Sequence, residues 1–469
     1  MLLSKIFPDA KIDRDVDVVR ITDKLDEVVE NTLFVCITGK RFDGHKNAQK
    51  AYDSGAVAFI VERDMGLSNQ IIFENSRVGY ALAAAAFYEH PAEKLKLVGI
   101  TGTNGKTSTA LMLRTIFEAS EIKTGLIGTL VNYDGEKEIE AGLTTPEYME
   151  LQKLLADMVE NGCEYCIMEV SSQALSQHRV EGMNFEIGLF TNLSQDHLDY
   201  HGTMEEYAAA KAELFKMCKK GILNFDDEAS KTMLENATCE AVGFSMNEPS
   251  NYRAQGVELS NNKIEYFLDR AAISISVAGE FNVYNTLGAI AAALECGIAF
   301  EQVVWAAKKI HGVKGRMEIV PTETEITVII DYAHSPDSLE NVLKAVRRFA
   351  EGKILTVFGC GGDRDKTKRP IMGKIAAELS DKVFVTSDNP RTENPDMIIE
   401  DILAGIENQK NVKADPDRKA AIADAIKAAK KGDIVLLCGK GHETYQILNT
   451  GKIHFDEREV VREIIANII

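Results

Sequence analysis

Residues 97–108 constrain this chain more than any other stretch. A short apolar run, Leu97-Val98-Gly99-Ile100, leads into Gly102-Thr103-Asn104-Gly105-Lys106-Thr107-Ser108, and a helix-like run from Ala110 to Phe117 follows. Strand, glycine loop and helix, in that order, are the context a phosphate-binding loop needs. The glycines let backbone N–H groups approach phosphate oxygens, and the helix N-terminus adds positive potential. Lys106 is placed to neutralise β- and γ-phosphates, and Thr107 to reach a bound Mg2+. The loop is shorter than the common G-x-x-x-x-G-K-[ST] form, so the expectation of nucleotide binding rests on the context as much as on the pattern.

The 469 residues suffice for about three domains. The net charge of −19, from 53 basic and 72 acidic residues, argues against general binding to nucleic acid or anionic membranes, and leaves room for an anionic ligand in a locally basic cleft. No apolar run is long enough to span a bilayer, and Met1-Leu2-Leu3-Ser4-Lys5 does not open a signal peptide, so a cytoplasmic protein is expected. The cysteines are scattered. Cys163-Glu164-Tyr165-Cys166 is the one C-x-x-C; it lacks a second pair and runs into a strand-like segment. Buried, reduced thiols are therefore expected rather than zinc or redox chemistry.

Along the chain, residues 1–92 read as a small mixed unit with buried strands at Leu33–Ile37 and Ala56–Val61 and a closing helix at Ala81–Tyr88, ended by His90-Pro91. Residues 93–320 alternate strands and helices, the pattern of a parallel sheet with helices on both faces. A third α/β unit, 321–469, carries strands at Ile326–Ile330, Ile354–Phe358, Val383–Thr386 and Ile434–Cys438, with helical runs such as Ser338–Phe349 and Arg418–Lys430 between them. Each strand ends in a polar or glycine-rich turn: Asp331-Tyr332-Ala333-His334, Gly359 through Asp363, Ser387-Asp388-Asn389-Pro390, and Gly439 through Glu443. Ligands of open α/β sheets bind beyond the carboxyl ends of strands, so these turns predict a second ligand site.

Glu169 closes the apolar strand Cys166-Ile167-Met168 and is placed to hold Mg2+ or its waters; a plain surface carboxylate is the alternative. The segment from Asn192 to Gly202 packs two histidines and two aspartates into one turn, which suits metal or phosphate chemistry, or capping. Arg179 and Arg316 offer forked donors to anions. Lys211, in a helix-like run from Met204 to Phe215, reads on composition as an ordinary solvated lysine.

Taken in order, these motifs resemble the Mur ligases, ATP-dependent amide-forming enzymes of peptidoglycan precursor synthesis. The similarity rests on Gly102 through Thr107, Glu169-Val170-Ser171-Ser172, Asn192 with Asp196-His197-Leu198-Asp199, Gly279 with Phe281-Asn282 and Asn285, Gly315-Arg316-Met317-Glu318, and Asp331 through His334. Thr144-Thr145-Pro146, Asp388-Asn389-Pro390-Arg391 and Gly439 through Glu443 point to the member that adds the third residue of the peptide.

The resemblance implies a three-domain α/β protein. Residues 1–92, a small α/β domain, would bind the UDP substrate, 93–320 would form a P-loop ATPase-like, ATP-binding ligase domain built on a parallel or mixed sheet, and 321–469 a Rossmann-like amino-acid-binding domain. The implied reaction adds meso-diaminopimelate to UDP-N-acetylmuramoyl-L-alanyl-D-glutamate through an acyl phosphate, with ATP and Mg2+, in a monomeric cytoplasmic enzyme serving cell-wall synthesis, cell shape and division. A lysine-adding or folylpolyglutamate-type ligase, or a non-catalytic nucleotide-sensing scaffold, are the alternatives; the joint presence of Lys106, Glu169, His197, Lys211 and Arg316 counts against the scaffold.

By the same resemblance, Gly102, Thr103, Asn104, Gly105, Lys106, Thr107 and Ser108, with Asn285, Arg316 and His334, would bind ATP. Thr107, Glu169 and His197 would serve Mg2+, joined by Lys211 carrying CO2 as N6-carboxylysine. Thr144, Thr145, Ser171, Gln177 and Arg179 would hold the UDP-muramoyl dipeptide. Arg364, Asp388, Asn389, Pro390, Arg391, Gly439 and Glu443 would bind the incoming amino acid. One departure stands out. Relatives carry an Asp-Ser-Arg turn before the Leu-Phe-Val strand, and here Lys24-Leu25-Asp26 occupies it, so the usual serine contact to uracil is missing. Gly39 and Asp43-Gly44-His45 keep the look of the neighbouring loop.

Overall fold

The computed structural model describes residues 1–39, 42–260, 263–322 and 324–467. The strand that feeds the phosphate loop, Lys96–Thr101, sits in the middle of an eleven-stranded sheet. Its alternate residues bury on opposite faces. Val98 and Ile100 join a core with the helices Lys106–Ala119 and Phe281–Glu295, while Leu97 packs with the helix Tyr148–Glu160 on the other face. Burial on both faces explains the unbroken apolar run. Seven strands, from Tyr252–Leu259 across to Thr124–Ile127, run parallel. Antiparallel strands finish both edges: Ile264–Leu268 and Ala271–Ile275 on one side, Val131–Tyr133 and Glu138–Glu140 on the other. The βα alternation alone gives no sign of these edges, because hairpin strands carry no crossover helix to announce them, but the sheet is of the parallel/mixed kind that the resemblance implies.

The N-terminal unit is a four-stranded, all-parallel sheet whose strand Thr32–Val35 sends Leu33 and Val35 to one cluster and Phe34 to another. The C-terminal unit is a six-stranded sheet, parallel except at Glu318–Val320, which pairs antiparallel with Thr327–Asp331. That edge strand lies just before residue 321, so the third unit starts earlier in space than the sequence reading placed it. The expected strands Ala56–Val61, Ile354–Phe358 and Ile434–Cys438 form with those limits. The helix expected over Met204–Phe215 ends at Ala212 and tightens into a 3-10 turn, Glu213–Lys216. The helix expected at Arg418–Lys430 stops at Ala428.

Among the described residues no helix is long and apolar enough to cross a membrane. The central and C-terminal sheets meet at their strand exits. Asn104 Nδ2 of the phosphate loop donates to Asp337 Oδ2 at 2.7 Å, and Ser194 Oγ donates to the same oxygen at 3.1 Å. Asp337 is presented by the first turn of the helix Pro336–Arg347, started by a capping box between Ser335 and Ser338 and by Pro336.

Candidate active site

The phosphate loop is held open by its neighbours. Gly102 and Gly105 have φ of 143° and 84°; a Cβ on Gly102 would strike Thr191 Oγ1, and one on Gly105 the Asn285 side chain. Both positions therefore need glycine. Asn192 clamps the loop from outside: its carbonyl accepts from Thr103 N at 2.8 Å, and its Oδ1 from Asn104 N at 2.9 Å. Lys106 begins the helix Lys106–Ala119 and folds back, donating to the carbonyls of Gly102 at 2.9 Å and Thr103 at 2.8 Å. Burial lowers its ammonium below the usual lysine range, against the pull of Glu169.

Glu169 ends the strand Tyr165–Glu169 with its carboxylate buried and oriented. Thr107 Oγ1 donates to its Oε2 at 2.9 Å, and Thr129 contributes its N–H to Oε1 at 2.8 Å and its hydroxyl to Oε2 at 3.0 Å. Thr129 was not singled out in the sequence; it lies in an unremarkable stretch, and only the fold brings it to the carboxylate. Lys211 overturns its composition-based reading. It is 1 % exposed, donates from Nζ to Gly102 O at 2.8 Å, and lies 4.4 Å from the centre of the Tyr207 ring. Burial, and then the Lys106 charge, push its amine well below the ordinary lysine range, which favours the neutral, CO2-reactive form. His197 takes a left-handed φ of 54° at the start of the turn Leu198–His201. Such backbone strain, of order 1–3 kcal/mol, gathers at functional sites.

Three clefts divide the expected residues. One of about 350 Å³ runs between the central and C-terminal units, past Asn104, Gly105, Ser108, Asn285 and Arg316, and adds Asn224, Asp226, Asp227 and Tyr284. Arg316 lies over the Tyr332 ring at 4.8 Å, and its buried Nε has no hydrogen-bond partner among the described residues. A second, of about 430 Å³, joins Lys106, Thr107, Glu169, His197 and His334 to Arg364, Asp388, Asn389, Arg391, Gly439 and Glu443. The third, of about 110 Å³, gathers Thr144, Thr145, Ser171, Arg179 and Lys211. Gln177 and Pro390 line none of the three. Gln177 stands behind Arg179, accepting from its Nε at 3.0 Å and Nη2 at 2.6 Å, while Arg179 Nη1 donates to Thr145 O at 2.7 Å. Pro390 is buried as the stiff floor of its turn.

The four C-terminal turns converge as the strand ends predicted. Lys440, fully buried, donates to Glu443 Oε2 at 2.8 Å and Asn389 Oδ1 at 3.2 Å, and Asn389 Nδ2 donates to Glu443 Oε2 at 2.9 Å. Lys440 lies in the expected turn from Gly439 to Glu443 but carries no expected role of its own, since lysine is ordinarily a surface residue; here it is the buried hub that ties Asn389 to Glu443. Arg391, at φ 53°, donates from Nη1 to Gly362 O at 2.8 Å. Arg364 is exposed at the rim and bonds the carbonyl of Asp363 at 3.2 Å. Burial, with Lys368 nearby, lowers His334 to about 4, so it is neutral near pH 7. Leu25, at the position of the expected uracil contact, sits in a 3-10 turn, Leu25–Glu27, and packs against the cluster containing Phe34 and Phe59.

Comparison with known proteins gives concordant results. Residues 100–293 match the Mur ligase middle domain, and residues 315–441 the Mur ligase glutamate ligase domain. UDP-N-acetylmuramoyl-L-alanyl-D-glutamate--2,6-diaminopimelate ligase 1 of Clostridium acetobutylicum is 45% identical over 482 residues, covering 100% of both chains. The enzyme of that activity from Clostridium botulinum is 43% identical over 454 residues, 94% of each chain. A solved structure of a UDP-N-acetylmuramoyl-L-alanyl-D-glutamate--2,6-diaminopimelate ligase superposes with a TM-score of 0.70 at 30% identity, over 100% of this chain and 99% of that one.

Proposed function

The chain belongs to the Mur ligase family, and we infer that it joins 2,6-diaminopimelate to UDP-N-acetylmuramoyl-L-alanyl-D-glutamate using ATP. The observation that carries this reading is the second cleft, where the phosphate loop and Glu169 face the four C-terminal turns. A carboxylate activated on one wall meets an amine held on the other. The loop N–H groups, Lys106, Asn285, Arg316 and His334 hold ATP with its γ-phosphate toward the D-glutamate side chain, and Thr144, Thr145, Ser171 and Arg179 hold the acceptor, with Gln177 orienting the arginine. The carboxylate oxygen attacks the γ-phosphorus, ADP leaves, and an acyl phosphate remains. The amine, delivered by Asp388, Asn389, Arg391 and Glu443, attacks the acyl carbon; the tetrahedral intermediate collapses with loss of phosphate. Positioning and charge compensation by Lys106 and Arg316 supply the acceleration.

The donor set suits Mg2+. Among the described residues no group of three His, Cys, Asp or Glu is placed to hold a metal, so an all-protein cage is not what this site offers. Mg2+ is commonly held by one or two carboxylates and phosphate oxygens, and Glu169 with the Thr107 hydroxyl supplies that kind of half-shell, with His197 beside it. When bound, the ion offsets phosphate charge as it redistributes. Carbamylated Lys211 would add the second anion. A panel of amino acids assayed for ADP release tests the function: release should require both the UDP-muramoyl dipeptide and an amine, with meso-diaminopimelate preferred. ADP release without the dipeptide, or with no amine preference, would overturn it.

A further inference from the structure

The C-x-x-C of the sequence does not form a thiol pair. Cys163 Sγ turns to Asp134 O at 3.6 Å and Cys166 Sγ lies against Ile167 O at 3.9 Å. The thiols that meet are Cys218 and Cys239, with Sγ atoms 3.4 Å apart. Cys218 opens the strand Cys218–Asn224, and Cys239 immediately precedes Glu240–Ser245; these strands pair in parallel, Lys220 beside Glu240 and Ile222 beside Val242. The register sets Cys218 level with Thr238, one residue before Cys239; strands about 4.8 Å apart with a rise of about 3.3 Å per residue then put the two Cα atoms about 6 Å apart, inside the separation of about 4.4–6.8 Å that a disulfide spans. Closing the 3.4 Å gap to the bonded distance of about 2.05 Å takes a movement of the sulfurs of about 1.4 Å.

We propose that Cys218 and Cys239 form a thiol–disulfide modification site, closed by small disulfides and opened by thiols. Cys239 is partly exposed and is the entry thiol; Cys218 is buried and is the resolving one. Cys239, as thiolate, attacks a sulfur of the external disulfide. One small thiol leaves, and a mixed disulfide forms. Cys218, losing its proton to solvent, then attacks Cys239 Sγ, the second small thiol leaves, and the Sγ–Sγ bond is made. Two protein thiols are oxidised and one external disulfide is reduced to two thiols. The bond ties the entry ends of two strands. Asn224, which ends the first strand, and Asp226 and Asp227, which follow it, line the first cleft at the far ends of the two strands and are anchored there: Asn224 Nδ2 donates to Thr191 O at 2.8 Å, Asp226 Oδ1 accepts from Ser245 Oγ at 2.7 Å, and Asp227 Oδ2 accepts from Leu193 N at 2.9 Å. Closure should therefore raise thermal stability while leaving ATP turnover within about twofold of the reduced protein.

The test is to incubate the native full-length protein with oxidised glutathione, then count thiols under denaturing conditions and map peptides. The expected result is loss of two titratable thiols, a 218–239 cross-link, full reversal by dithiothreitol, and a Tm raised by a few degrees. Cys218→Ser should instead accumulate a glutathione adduct on Cys239, and Cys239→Ser should resist both reactions. Retention of every thiol, a cross-link at 163–166, or a parent protein that stalls as the adduct would overturn the proposal. If either serine variant fails to fold, the parent's peptide map alone decides.

Discussion

The phosphate loop and the C-terminal turns proposed to take the amine face each other across one cleft, yet they are built in opposite ways. The loop works through backbone: two left-handed or otherwise glycine-only positions, N–H groups and a single lysine, all within seven consecutive residues. The turns work through side chains: Asn389, Lys440 and Glu443 from two separate strand ends form one buried, charged network, and Arg391 is added in a strained conformation. A backbone cradle recognises phosphate regardless of what else reacts. A side-chain network can distinguish one amine from another. Damage to the loop should therefore slow every reaction alike, whereas damage to the turns should change the choice of amine.

The largest expected effect is Lys106→Ala. Removing one strong electrostatic contact to a developing charge costs roughly 3–4 kcal/mol, so kcat should fall by about two to three decades. Turnover within about twofold of the parent would remove Lys106 from the mechanism. Lys211→Ala should be nearly as damaging if its carbamate is needed, and a short carboxylic acid added to the assay should recover part of the activity. An intact mass showing only the free amine in fully active protein would contradict that role.

Smaller effects separate stability from catalysis. An unfolded histidine titrates near 6.5, whereas His334 is held at about 4, so the unfolded chain takes up a proton first as the pH falls. Stability should thus decline between about pH 6.5 and 4, by roughly 2 kcal/mol at pH 5, and level off below. His334→Asn should flatten that part of the Tm–pH profile; an unchanged slope would show that other groups set it. The smallest effect is Leu25→Ser. Because Leu25 packs on the Phe34 cluster, the change should cost about 1 kcal/mol of stability and leave the KM for the UDP substrate unchanged. A lower KM would mean that a hydroxyl there still reaches the nucleotide.

How legible each half was follows from how it is built. Gly102 through Ser108 is contiguous, so its chemistry is visible before any folding is considered. The strand ends expected after Ile330, Phe358, Thr386 and Cys438 were legible too, the first falling one residue later at Asp331, since apolar runs followed by polar turns announce them. What the sequence hid was tertiary: Thr129 reaching Glu169, Asp337 bridging to Asn104, and Lys440 buried against expectation. The buried state of Lys211 was equally invisible in a helix flanked by alanines; what the fold adds is an environment that lowers its amine well below the ordinary lysine range. The antiparallel edges of the central sheet left no mark in the alternation of strand and helix, the long-range pattern that a parallel sheet prints on its sequence; the mixed sheet followed only from the family resemblance.

The contrast between the two halves is tested most directly by measuring kcat/KM for meso-diaminopimelate and for L-lysine in the parent, Lys106→Ala and Arg391→Ala proteins. In the proposed assignment Arg391 pairs with the distal carboxylate of diaminopimelate; loss of a charge partner desolvated in the complex costs about 2–5 kcal/mol, a ratio of roughly 30-fold to several thousand-fold in the parent. Lys106→Ala should lower both values and keep their ratio, while Arg391→Ala should collapse the ratio toward one. A parent ratio near one, or a ratio that Lys106→Ala changes and Arg391→Ala does not, would contradict the division of labour between loop and turns.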